Sequence, residues 1–150
     1  MHWTPRRASP RSVVVCVLMA ILLLLVGFLA APARATTTAE RAVHVMINEA
    51  RAAAGMRPLT LSDRLSRMAH RHSKQMANIG GLFHSCLTCQ ISAFRRLAEN
   101  VGYGADRYAV QGQLMASPPH RANILGKFRR VGVGVVRQGG LAWVTQIFYS

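Results

Sequence analysis

Side chains able to do chemistry are sparse and unevenly placed. The chain carries three cysteines, six histidines and five acids among 150 residues. Cys86-Leu87-Thr88-Cys89 is a single Cys-x-x-Cys pair. A zinc site of the usual kind wants two such pairs, and a thioredoxin-type redox pair should open a helix after a strand. Neither context is present, which leaves a local disulfide or two free thiols; an oxidising compartment favours the disulfide. Closing so short a loop stabilises little through chain entropy and serves to shape the loop beside His84. Ser117 precedes His120 by three residues. A serine nucleophile with a histidine base is conceivable, but the glycines of a nucleophile elbow are missing, and Ser117 before Pro118-Pro119 reads as a turn or cap. His72 falls on an apolar helical stripe and reads as a hydrogen-bonded core residue, while His44 and His70 read as solvent-facing. Met46, Met68 and Met76 recur at helical spacing as core fillers.

The elements that must position these groups follow from periodicity. Thr37 and Glu40 fit a capping box. Val43, Met46, Ile47, Ala50 and Ala54 then mark one helix face, ended by Gly55 and Pro58. A second helix starts at Ser62-Asp63, with Leu65, Met68, Ala69, His72 and Met76 as its stripe and Gly80-Gly81 as its stop. Residues 81–98 show no regular period. A third helix is expected from Asp106 to about Met115, broken by Ser117-Pro118-Pro119, followed by a helical turn from His120 to Leu125. Val131, Val133 and Val135 alternate as in a strand. Gly139-Gly140 is a two-residue hairpin turn, and Leu141 to Tyr149 returns. In that register Gly134 faces Thr145 and Gly132 faces Ile147. Two glycines on one face leave room for a helix or a ligand to approach closely. The pattern predicts an α+β domain of about three helices and a hairpin.

The N-terminal residues are a different material. Arg6, Arg7 and Arg11 precede a run from Val13 to Ala31 without charge, and Ala33-Arg34-Ala35 offers small residues at a peptidase site. This is the three-part plan of a secretory signal over 1–35, with cleavage after Ala35. The run is also close to the ~20 residues that span a bilayer, so an uncleaved anchor is the alternative. Cys16 sits at the start of the run, a poor place for lipid attachment. The remaining 36–150 keep 15 Lys+Arg (19 less Arg6, Arg7, Arg11 and Arg34) and 5 acids, a net +10. Such a balance disfavours a cationic partner and suits an anionic lipid or wall polymer. Nucleic acid is not expected, because no basic-aromatic interleaving supports it. Solubility alone, in an arginine-rich chain, is the plain alternative.

The order of short motifs is more specific. Asn48-Glu49-Ala50-Arg51 opens the domain, followed by Phe83-His84-Ser85. Ala98-Glu99-Asn100-Val101-Gly102-Tyr103-Gly104 and Ser117-Pro118-Pro119-His120-Arg121-Ala122-Asn123 come next, then Val131-Gly132-Val133-Gly134-Val135 and Thr145-Gln146-Ile147-Phe148. Over about 40–149 this resembles a bacterial CAP (SCP-like) domain, the superfamily of cysteine-rich secretory proteins, antigen 5 and plant pathogenesis-related proteins. The resemblance implies an α-β-α sandwich with a small antiparallel sheet between helices. It also implies a cleft that in eukaryotic members holds two histidines and two acids and can bind a divalent metal. Here His84 matches the first histidine and Glu99 the first acid. The place of the second histidine is Trp143, the second acid is missing, and His120 belongs to the bacterial Ser-Pro-x-His-Arg motif. The position of the usual tryptophan before that motif is Leu114.

A cleft of His84, Glu99, Asn100, His120 and Arg121 is the resulting expectation. His84, Glu99 and His120 can hold zinc with one position open, or act as base and orienter in a hydrolysis. Equally, Glu99 can tie loop amides and the histidines can staple loops. Asn100 is expected to satisfy backbone groups in its turn and Asn123 to brace the loop after His120. Arg121 faces an anionic ligand or simply lies exposed. The expected protein is a monomeric, secreted or envelope-associated binding module rather than an enzyme. Its ligand is an apolar or amphipathic molecule such as a lipid, or an anionic wall polymer. It requires no cofactor and has no membrane span once the signal is removed. A metal-assisted hydrolase or protease is the competing reading.

Overall fold

A computed structural model describes residues 34–150. The expected signal, with Arg6, Arg7 and Cys16, lies outside the described residues apart from Arg34 and Ala35. Helix α1 (Thr38–Ala53) begins as its sequence dictates. The Thr37 hydroxyl accepts from the Glu40 amide, and the Glu40 carboxylate accepts from the Thr37 amide. Strand β1 is the short Thr60–Leu61. Helix α2 (Asp63–Ile79) is capped by the Ser62 hydroxyl and ends at Gly80, whose φ of 73° is left-handed. A four-residue helix α3 (Leu87–Gln90) interrupts the irregular stretch. Strand β2 (Leu97–Gly104), unassigned by periodicity, leads to α4 (Arg107–Ala116), capped by Asp106. Then come α5 (Pro118–Ile124), β3 (Arg130–Gln138) and β4 (Leu141–Tyr149).

The four strands form one sheet in the order β1-β3-β4-β2. The β3–β4 hairpin turns at Gly139 and Gly140, with φ of 61° and 77°, the geometry that matches strand twist. Gly134 pairs with Thr145 and Gly132 with Ile147, the register read from the sequence. β2 joins the far side of β4 antiparallel, with Glu99 opposite Ile147 and Asn100 opposite Gln146.

Alternation along the strands gives the sheet two buried faces. Val131, Val133, Val135, Val144 and Phe148 point to α1, α4 and α5, meeting Val43, Ile47, Val110, Leu114 and Ile124. On the other face Ile147, Val101 and Trp143 meet Leu65, Met68, Ala69, Met76 and Ala77 of α2. The result is a helix-sheet-helix sandwich, the expected α-β-α arrangement. The two glycines of β3 receive a helix. A Cβ on Gly132 or Gly134 would lie 2.2 Å from the backbone of Leu65 or Ala69. The Ser73 hydroxyl, fully buried, reaches the Gly134 carbonyl and the Thr145 hydroxyl across this close contact.

Two histidines sit differently from their sequence reading, and one arginine has a role the sequence did not suggest. His70 is not solvent-facing: its Nδ1 lies 3.1 Å from Glu40, whose carboxylate is fully buried. Nor is His44 free, since its Nε2 lies 2.7 Å from the Leu59 carbonyl. Arg51, 2% exposed, donates to the carbonyls of Arg57, Ile124 and Gly126 and so ties the end of α1 to the turn after α5. A surface-looking Arg in a basic chain gives no sequence signal of this role. His72 behaves as read, with its Nε2 2.7 Å from the Phe83 carbonyl and its ring edge-on to Phe83.

Candidate functional site

β2 is an edge strand, and successive side chains on it point to opposite faces of the sheet. This decides where the candidate residues go. Glu99 points to the α2 face, under the loop that follows Gly81. One of its oxygens accepts from the Ser85 amide at 2.8 Å and meets His84 Nδ1 at 2.9 Å; the other accepts from the Ser85 hydroxyl at 2.6 Å. The Glu99 side chain is 4% exposed and that of His84 61%. Glu99 therefore holds the loop in place, with His84 as an outer partner. The disulfide joins Cys86 and Cys89, Cα atoms 5.3 Å apart, at the next turn of the same loop.

Asn100, the next residue, points to the other face and is fully buried. Its amide donates to the His120 carbonyl and to Gln146, and its oxygen accepts from Asn123. Gln146 in turn donates to Gln111. This chain of buried amides fastens α4 and α5 to the sheet. Asn123 thus braces α5, while Asn100 acts from within a strand, not a turn. Arg121 lies exposed on α5.

His120 Nδ1 lies 2.8 Å from the Ser117 hydroxyl, within one helical turn. Neither makes a hydrogen bond to Glu99 or His84 among the described residues. Among these residues no three His, Cys, Asp or Glu side chains are grouped to hold one metal ion. The donor chemistry agrees, because both Glu99 oxygens are already engaged with the loop. The arrangement as it stands does not fit zinc, and the expected His84, Glu99 and His120 set is divided into a His84–Glu99 pair and a His120–Ser117 pair.

Beside β2 runs an open groove of about 440 Å³, lined by Leu82, Val101, Gly102, Tyr103, Gln113, Leu114, Ser117 and His120. Of His84, Glu99, Asn100, His120 and Arg121, His120 alone lines it. Leu82 and Tyr103 are each 46% exposed, and Tyr103 stacks on Trp143 with ring centroids 5.0 Å apart. The other seven lining residues, from Leu82 to Ser117, were not among those expected from the sequence to form the cleft. The alternation of Val101 and Tyr103 was the available signal, hidden because Gly102 and Gly104 break the strand pattern.

Among the described residues no helix is long and apolar enough to cross a membrane. No curated protein sequence matches the chain. An outer surface protein of Borrelia burgdorferi superposes with a TM-score of 0.69 at 14% identity, over 78% of this chain and 96% of that one. An extracellular SCP-domain protein of Bacillus anthracis gives 0.63 at 24% identity, over 73% of this chain and 39% of that one. A cysteine-rich secretory protein of Staphylococcus aureus gives 0.65 at 22% identity, over 79% and 40%. The chain therefore spans about two-fifths of the last two, and at these identities the likeness concerns the fold. The model of the CAP family, the cysteine-rich secretory proteins, matches residues 45–148, from the middle of α1 to the end of β4. With most of the described chain inside that match and the helix-sheet-helix sandwich in place, the chain belongs to the CAP family.

Proposed function

We propose that this CAP domain is exported and acts as a binding module, taking an apolar or amphipathic molecule in the groove beside β2. The lining of that groove carries the reading. Leu82, Val101, Tyr103 and Leu114 supply apolar walls, while Gln113, Ser117 and His120 gather polar groups at one side. A volume near 440 Å³ lies in the range of about 300–1,000 Å³ usual for small-molecule sites. Export rests on the basic, apolar and small-residue pattern of residues 1–35. The hydrolase reading has less support. Ser117 and His120 form a pair, but among the described residues no carboxylate is hydrogen-bonded to the imidazole, and Glu99 is committed to the loop.

The test uses laurate as probe and the full-length chain carrying Trp3→Phe, so that Trp143 is the sole tryptophan. Trp143 is 5% exposed and stacked against the groove-lining Tyr103, so its fluorescence reads occupancy. A saturable change is expected, weakened about tenfold in Leu82→Asp by lost apolar burial, on the order of 1.5 kcal/mol. His84→Ala leaves it unaltered. Absence of saturation, or an affinity indifferent to Leu82→Asp, overturns the reading.

A further inference from the structure

The opposite end of the sheet carries a second groove with a different chemistry. It measures about 980 Å³ and is lined by the segment 92–96, the segment 127–130, and Tyr149-Ser150. Arg95, Arg96, Lys127, Arg129 and Arg130 all stand on its walls, and no Asp or Glu side chain does. A smaller depression lined by Arg64, Arg130 and Tyr149 continues it. All six cations are exposed. The ion pairs among the described residues are Arg34–Glu40, His70–Glu40 and His84–Glu99, so none of the six takes part in one. Nor does any of the six side chains donate a hydrogen bond among the described residues. The nearest acid in sequence, Asp63, accepts from the Thr36 hydroxyl.

The fold, and not chance, holds these charges together. Register places Leu97 and Arg130 on either side of Tyr149. A backbone oxygen of Ser150 accepts from the Arg95 and Arg96 amides, and the Tyr149 carbonyl accepts from the Arg129 amide. Segments distant in sequence are thus fastened side by side, and their side chains face one groove. Keeping several like charges close together costs stability. With no Asp or Glu side chain on its walls to offset it, the arrangement is explained if an anion occupies the groove.

We infer that this groove binds a linear polymer bearing a phosphate in each repeat. Five of the six cations are arginines, whose planar forks suit phosphate oxygens. They converge from three segments. A phosphate offers acceptor oxygens in several directions, whereas a carboxylate presents one edge. A concave groove admits a chain, while a flat membrane meets only its rim. Base recognition would call for a stacking platform, and Phe94 is the one strongly exposed aromatic on the walls, at 42%. The inference is independent of the apolar groove beside β2.

The test is titration of the full-length chain with inorganic polyphosphate at two salt concentrations. A triple variant, Arg95→Gln, Arg96→Gln and Arg129→Gln, is compared with an equal-charge control, Arg71→Gln, Lys74→Gln and Arg137→Gln, all exposed and none of them lining the groove, with Arg137 at the hairpin end of β3. About fivefold per removed cation gives roughly a hundredfold weakening for the groove triple. Its log K against log salt slope should shrink by about three. The control should change little, and both variants should melt like the parent. Equal weakening of the two triples overturns the site in favour of diffuse charge. An oligonucleotide of equal phosphate number that binds more tightly than polyphosphate overturns it in favour of nucleic acid. Groove-triple dependence on phosphatidylglycerol vesicles but not on polyphosphate overturns it in favour of a membrane surface. Because Trp143 lies at the other end of the sheet, laurate binding should persist in the groove triple, so the two readings fail separately.

Discussion

Replacing Gly134 with alanine tests the packing on which both grooves depend. The added Cβ would lie 2.2 Å from the Ala69 carbonyl carbon, 2.3 Å from the His70 nitrogen and 2.4 Å from the Ala69 oxygen. Ordinary contact begins near 3.4 Å, so helix and strand must separate by about 1.2 Å (3.4 less 2.2). Every obstacle is backbone, and no rotamer change relieves it. Overpacking a core costs about 1–3 kcal/mol even where side chains can give way. Separation here also stretches the Ser73 bonds to Gly134 and Thr145, each worth about 1 kcal/mol. Together these predict a loss of about 3–5 kcal/mol, a large part of the 5–15 kcal/mol (roughly) that holds a domain of this size. At about 4 °C per kcal/mol the melting temperature falls by roughly 10–20 °C. Gly112, mid-helix in α4, has nothing within 4 Å of an added Cβ. Gly112→Ala should therefore gain about 0.5–1 kcal/mol from helix propensity. Urea denaturation of parent and both variants reads the difference. If Gly134→Ala unfolds within about 0.5 kcal/mol of the parent, the close approach of α2 to β3 is not as described.

Acidification should destabilise the protein in two stages. Burial, aided by the Arg34 charge, holds His70 below its ordinary value of 6.5 despite Glu40 beside it. The unfolded chain then takes up that proton first, and stability falls as pH drops below 6.5 toward the lower folded value. Burial raises the Glu40 pKa, but the Thr37 amide, the Arg34 guanidinium and the Thr37 hydroxyl outweigh it and hold it below 4.5. Its contribution is present above 4.5 and is lost as pH falls through the folded value. Urea midpoints from pH 7.5 to 3.5 should show both stages in the full-length chain, which retains Arg34. His70→Gln should remove the upper stage alone, and an unaltered upper stage would count against it. Glu99→Gln should speed amide exchange at Ser85 about tenfold, the equivalent of one charge-assisted bond of ~1.4 kcal/mol. Unchanged exchange would mean that the loop does not depend on the carboxylate. Reduction of Cys86–Cys89 should lower global stability by no more than about 2 kcal/mol, given so short a loop. A larger fall in the urea midpoint would show that the disulfide shapes more than its own turn.

Local rules made much of this molecule legible. The Thr37–Glu40 capping box, the Ser62 cap, the stripe from Leu65 to Met76 and the Gly139-Gly140 hairpin depend on neighbours within a few residues, and each formed as the spacing implies. So did the close approach at Gly132 and Gly134, because a missing Cβ on one strand face is visible without knowing what fills the space. Strand β2 was not legible by period. Its glycines interrupt the apolar alternation, and its place at the edge follows from pairing with β4, some 46 residues away at Asn100 and Gln146. The buried side chains of Glu40 and Arg51 gave no signal either, since a charge is buried only when distant partners meet it. The candidate site divides along the same line. Residue types named His84, Glu99 and His120, but alternation on β2 turns Glu99 and Asn100 to opposite faces. Tertiary structure alone decided that His84 joins Glu99 beneath a loop while His120 pairs with Ser117 at the apolar groove. The basic groove was invisible for the same reason: the sequence determines how many arginines there are, but only the sheet brings segments 92–96 and 127–130 together at Tyr149.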